Sequence, residues 1–293
     1  MKRVLVTGGN KGIGFAIAER ILETKADSYV LLGSRNKDRG LKAVSQILEH
    51  HPGWKDRIEA LVIDVSNEDS VLQAAQTIRE KFGAESGPLY GIVNNAGIAQ
   101  SDDGLRSILE VNTYGIKRVC EAFIPFLSAD GGRIVNMTSA SGPNFVFKCS
   151  DERQKFITNP AVTWDDIVSY MGECLELETS GDFESAGLGD GSSYGISKAC
   201  ANAYTIALAR EHPKLCINAC TPGFIETDMT RVMAASRGST PAEMGMKTPK
   251  DGTVSALFLL FGEPEGSGHY YGSDGLRSPL DRYRAPGTPA FSG

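Results

Sequence analysis

The chain has 293 residues, 41% of them hydrophobic and 23% charged, with a formal net charge of −6. That composition is ordinary for a globular protein, and the negative balance repels phosphate backbones, which excludes nucleic acid as the main partner. The length exceeds the usual roughly 50 to 250 residues of one domain, but elaborated α/β domains often run longer without splitting.

In chain order, Met1-Lys2-Arg3 leads straight into Val4-Leu5-Val6, and a glycine-rich turn follows. A signal peptide would need its apolar run there, so no leader is expected, and a cytoplasmic location is. No segment has the roughly 20 apolar residues of a membrane span. Short β-branched runs at 3–7, 29–33, 58–63, 89–93 and 133–138 read as buried parallel strands. Between them, 12–24, 37–50, 67–82 and 103–128 read as amphipathic helices; Ile13, Ala16, Ile17 and Ile21 show the helical spacing. The alternation predicts an α/β fold, a doubly wound parallel sheet of the Rossmann type, with ligands along the C-terminal strand ends.

The pattern breaks at 141–193, which holds prolines, a helical candidate at 163–177 and several glycines. From Glu173 to Asp190 this stretch carries six acids and no base. It reads as an insertion in a single domain spanning 1–293. The alternation then resumes with a helix at 193–211, a strand at 215–220, a loop, a helix at 249–261 and a strand near 269–271. The tail from 274 to 293 is rich in Gly, Pro, Ser and Arg and is expected to pack loosely. Six cysteines lie scattered without a CxxC and read as free thiols. His50-His51 before Pro52 reads as a helix end, and no metal site is expected.

The first strand ends at Thr7-Gly8-Gly9-Asn10-Lys11-Gly12-Ile13-Gly14. Glycines there let the backbone turn tightly against a pyrophosphate, and the helix starting near Gly12 aims free N–H groups at the anion. NAD binders usually carry an acid about 20 residues on, to hold a ribose hydroxyl. Here Ser34-Arg35 stands in that place. Arg35 can grip a 2′-phosphate as a fork and Lys11 adds a second cation, so NADPH is the expected cofactor. Asp64 and Val65 end the third strand, where the adenine edge is within reach.

Ser193-Tyr194-Gly195-Ile196-Ser197-Lys198 opens a helix. Tyr194 and Lys198 are four apart and share a face. An ammonium beside a phenol favours the phenolate, which predicts a lowered Tyr194 pKa. Ser139 ends the strand at 133–138 and can hold a substrate oxygen beside the Tyr194 hydroxyl. Asn94-Asn95-Ala96-Gly97 supplies small residues where a cofactor crosses the sheet. Asn112 lies inside a predicted helix, where asparagine is a poor former and a structural or relay role is the better reading.

Together these ordered motifs resemble the short-chain dehydrogenase/reductase family, over nearly the whole chain. The match runs through TGGNKGIG, NNAG, the Asn112 position, Ser139, Tyr194 with Lys198, and Pro222-Gly223 followed by Thr227. The resemblance implies a catalytic tetrad of Asn112, Ser139, Tyr194 and Lys198, with Lys198 also on the nicotinamide ribose. It implies that Thr227 and the Ile225 backbone secure the carboxamide and that Asn94 supports the cofactor. The wide spacing between Ser139 and Tyr194 is similar to that of the monomeric NADPH-dependent carbonyl reductase branch, and to salutaridine- and menthone-reductase-like members. In that branch the insertion covers the surface other members use to oligomerise, which predicts a monomer.

The predicted reaction is reduction of a ketone or aldehyde, with Tyr194 as proton donor and Ser139 stabilising the oxygen. The pocket is expected between the insertion and the loop after Thr227, lined by Ala140, Phe145, Phe147, Phe224, Met229, Met233 and Met244. Such a lining suits a bulky apolar carbonyl compound. Two alternatives stay open: a non-catalytic NADP(H) sensor on the same scaffold, and an alcohol dehydrogenase working toward oxidation.

Overall fold

In the computed structural model, which describes residues 1–83 and 85–293, the apolar runs become one sheet covered on both faces. Strands β1 (Lys2–Val6), β2 (Ser28–Ser34), β3 (Ile58–Val62), β4 (Gly91–Asn94), β5 (Arg133–Met137), β6 (Cys216–Cys220) and β7 (Tyr270–Tyr271) pair in parallel. A short β8 (Arg277–Ser278) joins β7 antiparallel, giving the order β3-β2-β1-β4-β5-β6-β7-β8. The order reverses between β1 and β4, and that switch point opens the crevice in which such sheets bind ligands.

The strand period of two sorts β1 between two cores. Val4 and Val6 face α1 (Gly12–Thr24), α2 (Lys37–His50) and α11 (Val254–Phe261). Leu5 faces the other layer, built from α3 (Glu68–Phe82), α4 (Gly104–Leu109), α5 (Gly115–Phe123) and α9 (Ser193–Glu211). All three β1 side chains are fully buried, which is why this strand shows no polar alternation.

The stretch read as one helix over 103–128 is broken. A π-helical segment at Glu110–Tyr114 separates α4 from α5, and a 3₁₀ turn at Ile124–Phe126 ends the run at Pro125. The insertion holds three helices rather than one: α6 (Ser141–Lys148), α7 (Asp151–Ile157) and α8 (Trp164–Ser180). The start of α8 is set by a capping box between Thr163 and Asp166. The loop after β6 also contains a helix, α10 (Asp228–Ser236).

Helix α9 is buried on nearly every side, because it runs between the sheet and the insertion. Small residues make this possible: Phe145 of α6 sits against Gly195, and Ala199, Ala201 and Ala203 are nearly inaccessible. Trp164 of α8 packs edge-on against Tyr114 and Tyr204, at centroid distances of 5.4 and 5.3 Å. Three of the six acids between Glu173 and Asp190 hold partners, one of them outside the insertion. Glu178 accepts from the Leu105 N–H at 2.7 Å, Asp190 pairs with Lys148 at 2.6 Å, and Glu173 binds Arg153.

Candidate active site

The glycine turn sits between β1 and α1 and is tied to its neighbours by backbone groups. Gly9 N–H donates to Gly33 at 2.8 Å, while Thr7 Oγ1 accepts from the N–H groups of Asn95 and Ala96 at 3.0 and 3.1 Å. Gly8 has φ +63, and a Cβ there would lie 3.0 Å from the Ala96 Cα, so only glycine lets the turn meet the loop after β4. A Cβ on Gly12 would lie 3.5 Å from Thr227 Cγ2, which brings the loop after β6 to the same place. Asn10 and Ile13 are half-buried beside this junction, and Gly14 packs against Asn95. Residues far apart in sequence thus meet at the switch point.

Arg35 follows β2, exposed, with no hydrogen-bond or ion-pair partner among the described residues. Lys11 differs from expectation. Its ammonium pairs with Asp228 at 2.7 Å, both side chains being about three-fifths exposed (62% and 61%), and this contact holds the Asp228 carboxyl below its ordinary pKa. Asp64 is half-buried just beyond β3, and one of its oxygens is taken by the N–H and hydroxyl of Ser66, at 3.0 and 2.6 Å. Val65 is buried beside Gly115. Pro222 and Gly223 leave β6; the Ile225 carbonyl accepts from the Thr230 hydroxyl at 2.7 Å, and Thr227 caps α10.

Asn94 points into the protein rather than toward the crevice. Its amide donates to Asn136 at 2.9 Å, and Asn136 donates on to Thr205 of α9, also at 2.9 Å. It ties β4 to β5 and α9 from inside. Asn112, fully buried in the π-helical segment, holds both polar groups of Ile98 (2.9 Å from its N–H, 2.8 Å to its carbonyl) and reaches Ser197 Oγ at 3.0 Å. Its side chain therefore fixes the backbone beside Gly97.

Gly97 packs against Asn112 and Lys198. A Cβ there would come 3.1 Å from Asn112 Oδ1 and 3.4 Å from Lys198 Nζ. Lys198 is only 3% exposed, and its ammonium donates to the Met137 carbonyl at 3.1 Å. Burial pushes its pKa down to about 8. The same ammonium stands 5.6 Å from the centre of the Tyr194 ring. Burial also acts on Tyr194, raising its pKa, and the neighbouring Ser139 hydroxyl pulls it partly back. The expected depression of the Tyr194 pKa is thus not found: desolvation of the phenolate outweighs the hydrogen bond with Ser139. Ser139 is held in turn by Ser141, whose N–H donates to it at 3.1 Å.

Comparison with known proteins matches a family model, short chain dehydrogenase, over residues 2–150. The chain belongs to the short-chain dehydrogenase family. It is 34% identical to carbonyl reductase (NADPH) 3 of Rattus norvegicus, covering 84% of this chain and 88% of that protein. It is 31% identical to (+)-neomenthol dehydrogenase of Arabidopsis thaliana, over 87% of this chain and 94% of that one. Among solved structures, salutaridine reductase from Papaver somniferum superposes with a TM-score of 0.77 at 26% identity, over 92% of this chain and 99% of that one.

In this short-chain dehydrogenase a cavity of about 260 Å³ opens beside Ser139. Of the residues expected to line it, Ala140 and Phe224 do. Phe145 is buried against α9, Phe147 is exposed, and Met229, Met233 and Met244 lie on the partly exposed α10 loop outside the cavity wall. The lining is mixed, with Ser141, Asn144, Thr221 and Ser273 joining Ser139 beside Ala140, Gly223 and Phe224. Tyr283, Arg284 and Pro286 complete it from the C-terminal segment. These tail residues escaped the sequence reading because a Gly/Pro-rich end carries no periodic pattern.

Proposed function

We propose that this protein is an NADPH-dependent carbonyl reductase that turns a ketone or aldehyde into an alcohol. The observation that carries the reading is the joining of Ser139, Tyr194 and a buried Lys198 whose ammonium lies against Gly97. A cofactor binder without chemistry has no use for that constellation. The residues present fit a dinucleotide: Gly8, Gly12 and Gly14 leave a backbone cradle at the start of α1, and Arg35 offers an unengaged guanidinium for a 2′-phosphate. Ala96, Gly97, Asn10, Lys11, Ile13 and the segment from Pro222 and Gly223 to Ile225 and Thr227 would border it, with Asp64 and Val65 at the adenine end.

Bound NADPH supplies a hydride to the carbonyl carbon. Tyr194, whose raised pKa keeps it protonated at neutral pH, gives its proton to the carbonyl oxygen as charge develops there. Ser139 donates a hydrogen bond to the same oxygen. The Lys198 ammonium, fixed by Met137, favours the phenolate left behind. Asn112 and Ser197 hold the frame.

The names of the relatives support both the reaction and the cofactor. The test is NADPH consumption against a panel of ketones, aldehydes and quinones, with NADH in parallel. Arg35→Asp is expected to weaken NADPH binding by about tenfold to a hundredfold, the worth of a charge-assisted contact, and to leave NADH binding nearly unchanged. Equal loss for both would reject Arg35 as the phosphate ligand.

We also infer a monomer, because α8 covers Tyr114 and Tyr204 of the helices beneath it. Light scattering is expected to give the mass of one chain, and a stable tetramer would reject this. No helix among the described residues is long and apolar enough to cross a membrane. Six unpaired cysteines support a reducing, cytoplasmic setting.

A further inference from the structure

The C-terminal segment returns onto the edge of the sheet and is held there at two points. Arg284 is buried, its side chain 7% exposed, and its guanidinium pairs with Asp274 just beyond β7. Its Nη1 donates to the Thr288 carbonyl at 2.8 Å, and the Gly287 N–H donates to the second oxygen of Asp274 at 3.1 Å. Further along, the Phe291 N–H donates to the Arg277 carbonyl of β8 at 3.0 Å, and the Arg277 guanidinium stands over the Phe291 ring. A chain end rich in Gly and Pro has no fixed place by itself. A buried ion pair with its remaining groups satisfied supplies one, since removing either partner strands the other charge.

Small residues carry this anchor to the cavity beside Ser139. A Cβ on Gly272 would run into Arg284 Nη2, so the guanidinium lies directly on the β7 exit. The next residue, Ser273, packs on the loop after β6: Gly223, at φ +91, would place a Cβ 3.0 Å from Ser273 Cβ. Tyr283, Arg284 and Pro286 form one wall of the cavity, whose other walls come from the β5–α6 junction with Ser139 and from the β6 loop with Phe224. Tyr283 is half exposed, as a ring on the rim of an open cavity is, while the Arg284 that sets its place is buried. The walls at β5 and β6 are rooted in the strand ladder. The tail wall is held by side-chain contacts, so it is the one a substitution can move without disturbing Ser139. The cavity it bounds measures about 260 Å³, below the roughly 300–1,000 Å³ of pockets that take drug-sized ligands.

We propose that this C-terminal segment is the wall that sets the size limit of the substrate site, with Arg284 as its positioning residue, and that it admits open-chain or single-ring carbonyl compounds and turns away fused-ring ones. This rests on the reductase reading above. The probes are acetophenone and 2-acetylphenanthrene, methyl aryl ketones with the same reacting group on one ring or on three fused rings. At saturating NADPH the wild-type enzyme is expected to favour acetophenone by about tenfold or more in kcat/KM, because overfilling a bounded space is costly. Arg284→Ala removes the clamp. Gly272→Ala puts a methyl into the seat of the guanidinium and removes no charge. Tyr283→Ala shortens the wall itself. In each variant, kcat/KM for 2-acetylphenanthrene should rise by about tenfold relative to that for acetophenone, mainly through KM. A site that is merely loosened would lose rate on both ketones together, so a gain on the larger one separates a wall from a structural support.

A wild type that treats the two ketones alike, or variants that leave their ratio where it was, would overturn the proposal. If Arg284→Ala or Gly272→Ala fails to fold by circular dichroism, the half-exposed Tyr283→Ala carries the comparison. If the wild type consumes no NADPH with any carbonyl compound, the reductase reading itself falls. In that case, or where neither ketone is turned over, the wall is read by calorimetric titration of 2-acetylphenanthrene into the NADP-loaded protein. Affinity gained in Tyr283→Ala supports it, and affinity that does not change, or binding absent from both forms, overturns it.

Discussion

Tyr194→Phe is expected to lower kcat for carbonyl reduction by about 10²–10⁴-fold, the usual worth of a positioned general acid, with little change in NADPH affinity. Phenylalanine keeps the ring that packs beneath the Lys198 ammonium, so the crevice and the fold should survive. What disappears is the one proton donor placed beside Ser139. Ser139 can still polarise the carbonyl, which is why a residual rate above the uncatalysed one is expected. Steady-state kinetics paired with a fluorescence titration of NADPH separate the two effects. A variant that keeps a near-normal rate would remove Tyr194 from the acid role. Activity in the wild type and its loss here would also set aside the sensor alternative, in which Tyr194 has no work to do.

The parts of this fold legible in the sequence are those governed by local pattern. The runs at Val4–Val6 and Val30–Leu32 announce strands because both sheet faces are covered and every side chain is apolar. The turn from Gly8 to Gly14 is legible because a backbone approach this close tolerates nothing larger. Tyr194 and Lys198 are legible only through their fixed spacing on one helix.

What the sequence hides is set by contacts between distant segments. Nothing around Asn112 says that the helix loosens into a π segment so that its amide can hold Ile98 and Ser197. Asn94 reads as a crevice residue from its motif, yet a partner 42 positions later turns it inward. The tail is the largest case. Residues 281–293 are mostly exposed and compositionally loose, but one arginine reaching Asp274 brings Tyr283 into the cavity beside Ser139. Met229, Met233 and Met244 lie outside the cavity wall for the same reason, since only proximity in sequence assigns them to it.

Lys198 makes the second large prediction, and it couples activity to stability with opposite signs. Burial sets its folded pKa at about 8, below the ordinary value of 10.5. If the ammonium is the charge that favours the Tyr194 phenolate, kcat should be level below about pH 8 and fall roughly tenfold per unit above it. Lys198→Met should show a low, level profile over the same range, reduced by on the order of 10²-fold or more.

Stability runs the other way. Between about 8 and 10.5 the unfolded chain holds a proton on this lysine that the folded chain has already released. Unfolding therefore becomes harder as pH rises through that window, by up to about 1.4 kcal/mol per unit, while below it the cost of burying the ammonium is felt in full. Tyrosines also titrate at the upper end, so the quantity to measure is the wild-type minus Lys198→Met difference in urea unfolding free energy at several pH values. That difference should move in favour of the wild type as pH increases. A flat difference together with an activity break near pH 8 would assign the break to another group, whereas both moving together in opposite directions would place the charge on Lys198.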